Sequence, residues 1–287
     1  MKRSNQLCAF FRPAAMIVVL AVSLFASGNR LCAAGAAKEI RIGGTGTDLA
    51  VMKLLGQAFQ KEYPDIAITV YPSLGSTGGI KALLGGDLDI AVSSLDLTAA
   101  QQSQGLVAVE YGRTPFVFVT HNKNTASQIS LKQVIDIYSG QITTWPDETP
   151  VRLILRPAGE ESTKILQTIS EEMRRAVQKS YTRSGLNIAI NDQENADLIE
   201  RLPGSFGIAA LCQMISEKRL LNLLSLNGTK PSVKTLADGT YPYFMSLSLI
   251  IGPKSSPQAR QFVDFVFSPS GQSVLAKTGH LVNKRPK

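Results

Sequence analysis

Three stretches of the 287-residue chain concentrate the groups that hold an oxyanion: Gly43-Gly44-Thr45-Gly46-Thr47, Ser73-Leu74-Gly75-Ser76-Thr77-Gly78-Gly79, and Arg156-Pro157-Ala158-Gly159-Glu160-Glu161-Ser162-Thr163. Glycine lets backbone amides approach a ligand, and Ser and Thr hydroxyls add donors. A helix opening directly afterwards supplies unpaired N–H groups and the positive end of its dipole. Arg156 adds a planar fork that can give two parallel bonds to an oxyanion. Any single loop is explained equally well by a tight turn followed by an ordinary helix cap. Three at corresponding places favour an anion cradle, because such loops meet at the carboxyl ends of strands in an open α/β sheet. The P-loop spacing ending in Gly-Lys-Ser/Thr and the dinucleotide fingerprint are both missing.

Residues for catalysis are sparse. His121 and His280 are the only histidines, far apart and without metal-ligand spacing or a nearby nucleophile motif, so neither a catalytic nor a metal site is expected and no cofactor is implied. Cys212 lies in the apolar stretch Phe206 to Cys212 and reads as a buried small hydrophobe. Tyr138 and Trp145 read as packing anchors.

The elements that must position the three loops follow from periodicity. Glu39-Ile40-Arg41-Ile42 alternates as a strand, Asp48 offers an N-cap, and Leu49, Met52, Leu55 and Phe59 recur at helical spacing until Tyr63-Pro64. The pattern repeats as the strand Ile66 to Tyr71, the second loop, a short helix from Ile80 to Leu84, and a third strand Leu88 to Val92. This succession predicts a parallel α/β sheet. An extended segment from Leu106 to Val119 carries an expected break at Gly112-Arg113-Thr114-Pro115. Beyond it lie a capped amphipathic helix from Ser130 to Tyr138, the strand Val151 to Leu155, the arginine loop, a helix from Thr163, a helix capped by Ser170, and a terminal helix from Pro257 to Phe267.

The chain begins with Lys2 and Arg3 and an apolar run from Ala14 to Ala26, a signal-peptide pattern, with cleavage expected near Ala34. Residues 1–34 hold four basic and no acidic residues, so the formal charge falls from +8 to +4 without them. The remainder lacks a basic run with interleaved aromatics, which argues against a nucleic-acid partner. Two of the three cysteines lie in the leader, so no internal disulfide is expected in the mature monomer. About 250 residues remain, enough for two medium lobes.

Several of these segments resemble the phosphate-binding periplasmic proteins of ATP-driven transporters. The resemblance rests on Ser73 to Lys81, on Leu88-Asp89-Ile90-Ala91-Val92-Ser93-Ser94, and on Leu131 to Tyr138 followed by Ser139-Gly140-Gln141-Ile142 and Trp145. Arg156 to Thr163, Pro203-Gly204-Ser205-Phe206-Gly207, Gly239-Thr240-Tyr241-Pro242 and Phe262-Val263-Asp264-Phe265 extend it. It implies an α/β, two-lobed type II periplasmic binding protein, each lobe a mixed sheet flanked by helices, joined by a two-segment hinge. Lobe 1 would comprise residues 38–115 and 243–287, and lobe 2 residues 116–242. The implied function is capture of phosphate or a related oxyanion by lobe closure and delivery to an ABC transporter permease, by a monomeric periplasmic protein that is not an enzyme. A scaffold turned to sensing or protein interaction, with a different ligand or none, is the alternative.

The ligand set implied by the resemblance is Thr45, Gly46, Thr47, Ser76, Thr77, Gly78, Ser94, Arg156, Glu160, Glu161, Ser162 and Thr163. Two departures matter. The family has an aspartate where this chain has Ser94, and there it accepts a hydrogen bond from protonated phosphate and so rejects sulfate. The arginine loop in turn has gained Glu160 and Glu161, and a carboxylate about 4 Å from a dianion costs about 4 kcal/mol at an effective dielectric near 20. Either one of these glutamates takes over the acceptor role, or both point to solvent and complement the helix dipole. Asp96 is a third acceptor, or a cap for the turn at Thr98.

Overall fold

The computed structural model describes residues 38–284; the expected leader, residues 1–34, lies outside them. The first part of the chain alternates strand and helix: β1 (Lys38–Gly44), α1 (Leu49–Glu62), β2 (Ile66–Val70), α2 (Gly75–Gly85), β3 (Ile90–Ser93), α3 (Ala99–Ser103) and the long β4 (Val107–His121). The middle part runs β5 (Gln128–Ile129), α4 (Leu131–Ser139), β6 (Arg152–Leu155), α5 (Glu161–Ile169), α6 (Glu171–Ser180), β7 (Asn187–Ile188), α7 (Asp192–Arg201), β8 (Ser205–Ala210), α8 (Leu211–Ser216), β9 (Leu221–Leu223), β10 (Ser225–Leu226) and α9 (Val233–Ala237). The chain then returns through β11 (Phe244–Ile251), α10 (Pro257–Val266), α11 (Pro269–Lys277) and β12 (Leu281–Val282).

The sheet order is β2-β1-β3-β11-β4-β8-β6-β7, with β9 and β12 added to β4. β1 pairs in parallel with β2 and β3, β6 in parallel with β7 and β8, and β11 runs antiparallel to β3 and β4. β4 belongs to both halves. Its residues up to Pro115 pair with β11, and from Phe116 onward with β8. The expected strand break at Gly112 to Pro115 is therefore corrected to one continuous strand. Proline is tolerated mid-strand because its missing donor falls where one partner ends and the next begins.

Each half has an aromatic centre. Phe59 meets Phe262 and Phe265 edge-on in the first, and the latter two share one side of α10 as their helical spacing predicts. Phe206 gathers Phe118, Tyr138 and Trp145 in the second, and the Trp145 indole N–H donates to the Gly204 carbonyl at 2.9 Å. Burying such rings contributes about 1.5–3 kcal/mol each, which anchors the strands whose ends carry the site. Ser130 caps α4 in a reciprocal box with Gln133, and Ser170 caps α6 through the Met173 amide.

Candidate functional site

Two helices begin earlier than their composition suggests, and this places their hydroxyls. α2 starts at Gly75, not Ile80, so Ser76, Thr77 and Gly78 form its first turn. Gly75 has φ +66°, a left-handed conformation that glycine adopts without strain and that turns the chain into the helix. α5 starts at Glu161, with Glu160 at the N-cap, so Ser162 and Thr163 belong to its first turn. Glycine, serine and threonine score poorly as helix formers, but a first turn is where exposed N–H groups are useful.

The first half contributes hydroxyls and amides. The Thr45 and Thr47 hydroxyls lie 3.3 Å apart and are buried. The buried Ser76 hydroxyl accepts from the Ser94 amide at 3.1 Å and lies 3.3 Å from the Ser94 hydroxyl. Thr77 is exposed and Gly78 half-buried. Asp48 stands at the N-cap position of α1 but makes no cap bond; its carboxylate turns inward to the Tyr111 hydroxyl and to His280, where burial leaves it no water. Thr98 caps α3 in place of Asp96, which remains exposed.

The second half contributes charge. Arg156 is 3% exposed, donates from one terminal nitrogen to the Ala189 carbonyl at 2.6 Å, and from the other to Asp192 Oδ1 at 3.3 Å. Glu160 Oε2 lies 3.6 Å from the same nitrogen. Arg156 Nε is buried without a partner among the described residues, as is the Ser162 hydroxyl. Thr163 is not a free donor: its hydroxyl donates to the Pro157 carbonyl at 3.0 Å and so pins the arginine loop. The Glu161 carboxyl is raised above its ordinary range, mainly by burial and further by Asp96 and Glu160, against the lowering effect of Lys164.

The two halves meet at these loops. Thr47, Arg156, Ser162, Asp192, Asn195 and Gln213 help line one cavity of about 10 Å³, room for about one water. The Gln193 side chain donates to the Gly46 carbonyl at 2.9 Å and to Glu217 at 2.8 Å. A Cβ on Gly46 would stand 2.5 Å from Gln193 Oε1 and 2.9 Å from Asp192 Oδ2, so only glycine permits this approach. Gly75 faces Glu160 across the same junction. Thr45, Gly46, Thr47, Arg156, Glu160 and Ser162 are thus brought together, with Ser76 and Ser94 beside them. Thr77 is turned away.

Asp192 and Gln193 escaped the sequence reading. Their signal is one more strand-to-helix junction, Asn187 to Asp192, with Asn191 as N-cap; the strand there is only two residues long and shows no alternation. The histidines do not enter the cavity. His121 Nδ1 accepts from the Lys123 amide at 3.1 Å, and His280 lies against Asp48 with Cys212 beside them, all fully buried. Burial, with Asp48 adjacent, holds the Cys212 thiol well above its ordinary range, which removes it as a nucleophile.

Comparison with known proteins identifies the family and the fold. A profile described as the PBP superfamily domain matches residues 33–270. The chain belongs to the PBP superfamily. Among superfamily relatives, the phosphate-binding protein PstS of Borreliella burgdorferi is 24% identical over 255 residues, covering 85% of this chain and 90% of the relative. PstS of Bacillus subtilis is 22% identical over 261 residues, covering 86% and 81%. A phosphate ABC transporter substrate-binding protein from Clostridium perfringens, solved with bound phosphate, aligns with TM-score 0.73 and 22% identity over 86% of this chain and all of its own. An ABC-type phosphate transport receptor from Vibrio cholerae aligns with TM-score 0.59 and 19% identity, over 86% and 100%. These neighbours establish the type II periplasmic binding protein fold, with a mixed sheet and flanking helices. Within that PBP fold the candidate residues lie at the carboxyl ends of β1, β2, β3, β6 and β7. No helix among the described residues is long and apolar enough to cross a membrane.

Proposed function

We propose that this protein is an exported solute-binding protein, not an enzyme, that captures phosphate or a related protonated tetrahedral oxyanion between two lobes and delivers it to an ABC transporter permease. The observation that carries the proposal is a pair of buried donors without partners among the described residues, Arg156 Nε and Ser162 Oγ, on residues that share a cavity with Thr47 from the other half. The phosphate-binding relatives support the ligand class. The apolar run after a basic start supports export to the periplasm, with cleavage near Ala34 and a monomeric mature chain.

The lobes of this proposal are residues 38–115 with 243–287, and residues 116–242. The exchange of partners along β4 at Pro115 and Phe116, and the re-entry of the chain at Phe244, support hinges at those points. The cavity holds about one water, so ligand entry requires the lobes to part and Gln193 to release Gly46. Asp192 supplies the acceptor that Ser94 lacks. Its Oδ1 is held by Arg156 and its Oδ2 faces Gly46, a position from which it repels a dianion and accepts a bond from a protonated one.

The 3.6 Å approach of Glu160 to Arg156 favours a second use of the scaffold, in which carboxylates stand where the ligand would and the protein senses or binds a partner with a different ligand or none. Titration calorimetry separates the two. Protein stripped of ligand by unfolding and dialysis is expected to bind one phosphate with release of heat and sulfate far more weakly. No heat with either anion sinks the transport proposal and leaves the second.

A further inference from the structure

The described residues contain a second polar cluster that anion binding does not use. Asp48, Cys212 and His280 are fully buried, and one ligand-capable atom from each lies within 4.8 Å of the others. They come from three places in the chain: the end of the first ligand loop, the start of α8, and the turn between α11 and β12. Each is held from behind. The Tyr111 hydroxyl donates to Asp48 Oδ2, the Cys212 amide donates to Thr114 Oγ1 at 3.0 Å, and His280 Nδ1 lies 3.2 Å from both the Leu275 carbonyl and Thr278 Oγ1.

The tautomer of His280 follows from those contacts. The Thr278 hydroxyl donates to the Val274 and Leu275 carbonyls, so both neighbours of Nδ1 act as acceptors and Nδ1 carries the proton. In the neutral ring Nε2 is then a lone pair, 3.2 Å from Asp48 Oδ1. Two acceptors at that distance in a dry interior require a cation between them. Neither atom has a hydrogen-bond partner despite the short separation, so a proton on the line between them is poorly placed. A separation of 3.2 Å suits two ligands about 2.1 Å from one ion, subtending about 100°, near the tetrahedral angle. A backbone carbonyl against Nδ1, here that of Leu275, is the usual device for aiming Nε2 at a metal.

From this we propose that Asp48, Cys212 and His280 form a buried site for a divalent ion of the zinc class. The thiolate and carboxylate together neutralise its two charges, and imidazole, thiolate and carboxylate are the ligand types zinc accepts. Without an ion, the Cys212 thiol has the Thr47 carbonyl at 3.6 Å as its acceptor. The ion enters during folding, since the site has no exposure afterwards. Its consequence is mechanical: it ties the backbone beside Thr47 to α8 and to the C-terminal segment.

The test is refolding of the full chain from denaturant and chelator with zinc chloride, followed by desalting and measurement of metal by plasma mass spectrometry. About one zinc per folded chain is expected for the wild type, and at least a tenfold loss in both Cys212→Ser and His280→Gln. Refolding with cobalt is expected to give a thiolate-to-cobalt charge-transfer band that Cys212→Ser lacks. If His280→Gln fails to fold, the near-isosteric Cys212→Ser decides alone. A wild-type chain that folds with native circular dichroism yet retains no stoichiometric zinc overturns the proposal and leaves an imidazolium–carboxylate pair. Equal retention of zinc by wild type and Cys212→Ser overturns it as well.

Discussion

The first half of the sheet faces the second across the site with hydroxyls and amides on one side and formal charges on the other. Thr45, Thr47, Ser76 and Ser94 carry no charge, whereas Arg156, Glu160, Glu161 and Asp192 carry one cation and three carboxyls. Neutral donors bind any oxyanion of suitable shape and are indifferent to its protonation. Charges set affinity, pH dependence and selectivity, because their interactions change sign or strength with a single proton. If the site binds an oxyanion as proposed, attraction in general falls to the first half and discrimination to the second.

Removing the cation is the strongest way to break that division. Arg156→Ala is expected to weaken phosphate binding by about 100-fold or more in calorimetry, since it deletes charge-assisted bonds and leaves Asp192 uncompensated. Asp192→Asn is the next in size. It retains the shape but loses the negative charge and turns one acceptor oxygen into a donor, and the ratio of phosphate to sulfate affinity is expected to collapse by about 10- to 100-fold, with sulfate gaining. An unchanged ratio would show that discrimination lies elsewhere. In the neutral half, Ser76→Ala is expected to cost about tenfold, equally for phosphate and sulfate. A loss confined to phosphate would remove the contrast between the halves.

What could be read in the sequence divides along a related line. Alternation and helical spacing located β1, α1, β2 and α4 because each buries one face against a neighbouring layer. The starts of α2 and α5 lie earlier than expected because glycine, serine and threonine at a first turn look like loop by propensity alone. Pro115 looked like a break because a proline's missing donor is visible in sequence while a change of strand partner is not. That the loops holding Thr45, Thr47, Ser76 and Arg156 lie at one end of the sheet could be expected, since loops after parallel strands share that end. Asp192 could not, as its partner Arg156 is 36 residues away and only the fold joins them. The same holds for Asp48, which looked like a helix cap and instead turned inward to Tyr111 and His280.

The smallest expected effect concerns Glu161 and bears on stability. Burial, with Asp96 and Glu160 nearby, raises its carboxyl above the ordinary range. A carboxyl that holds its proton more tightly when folded than when unfolded stabilises the fold at low pH. That contribution is present below the ordinary carboxylate range and is lost as pH rises through the folded value. Glu161→Gln is therefore expected to flatten part of the decline in urea stability between mildly acidic and neutral pH, and to leave the protein slightly more stable than wild type at neutral pH. The neutral half offers a control, because Ser94→Ala removes no titrating group and should leave the slope of stability against pH unchanged. If both substitutions leave that slope as it was, Glu161 titrates alike folded and unfolded.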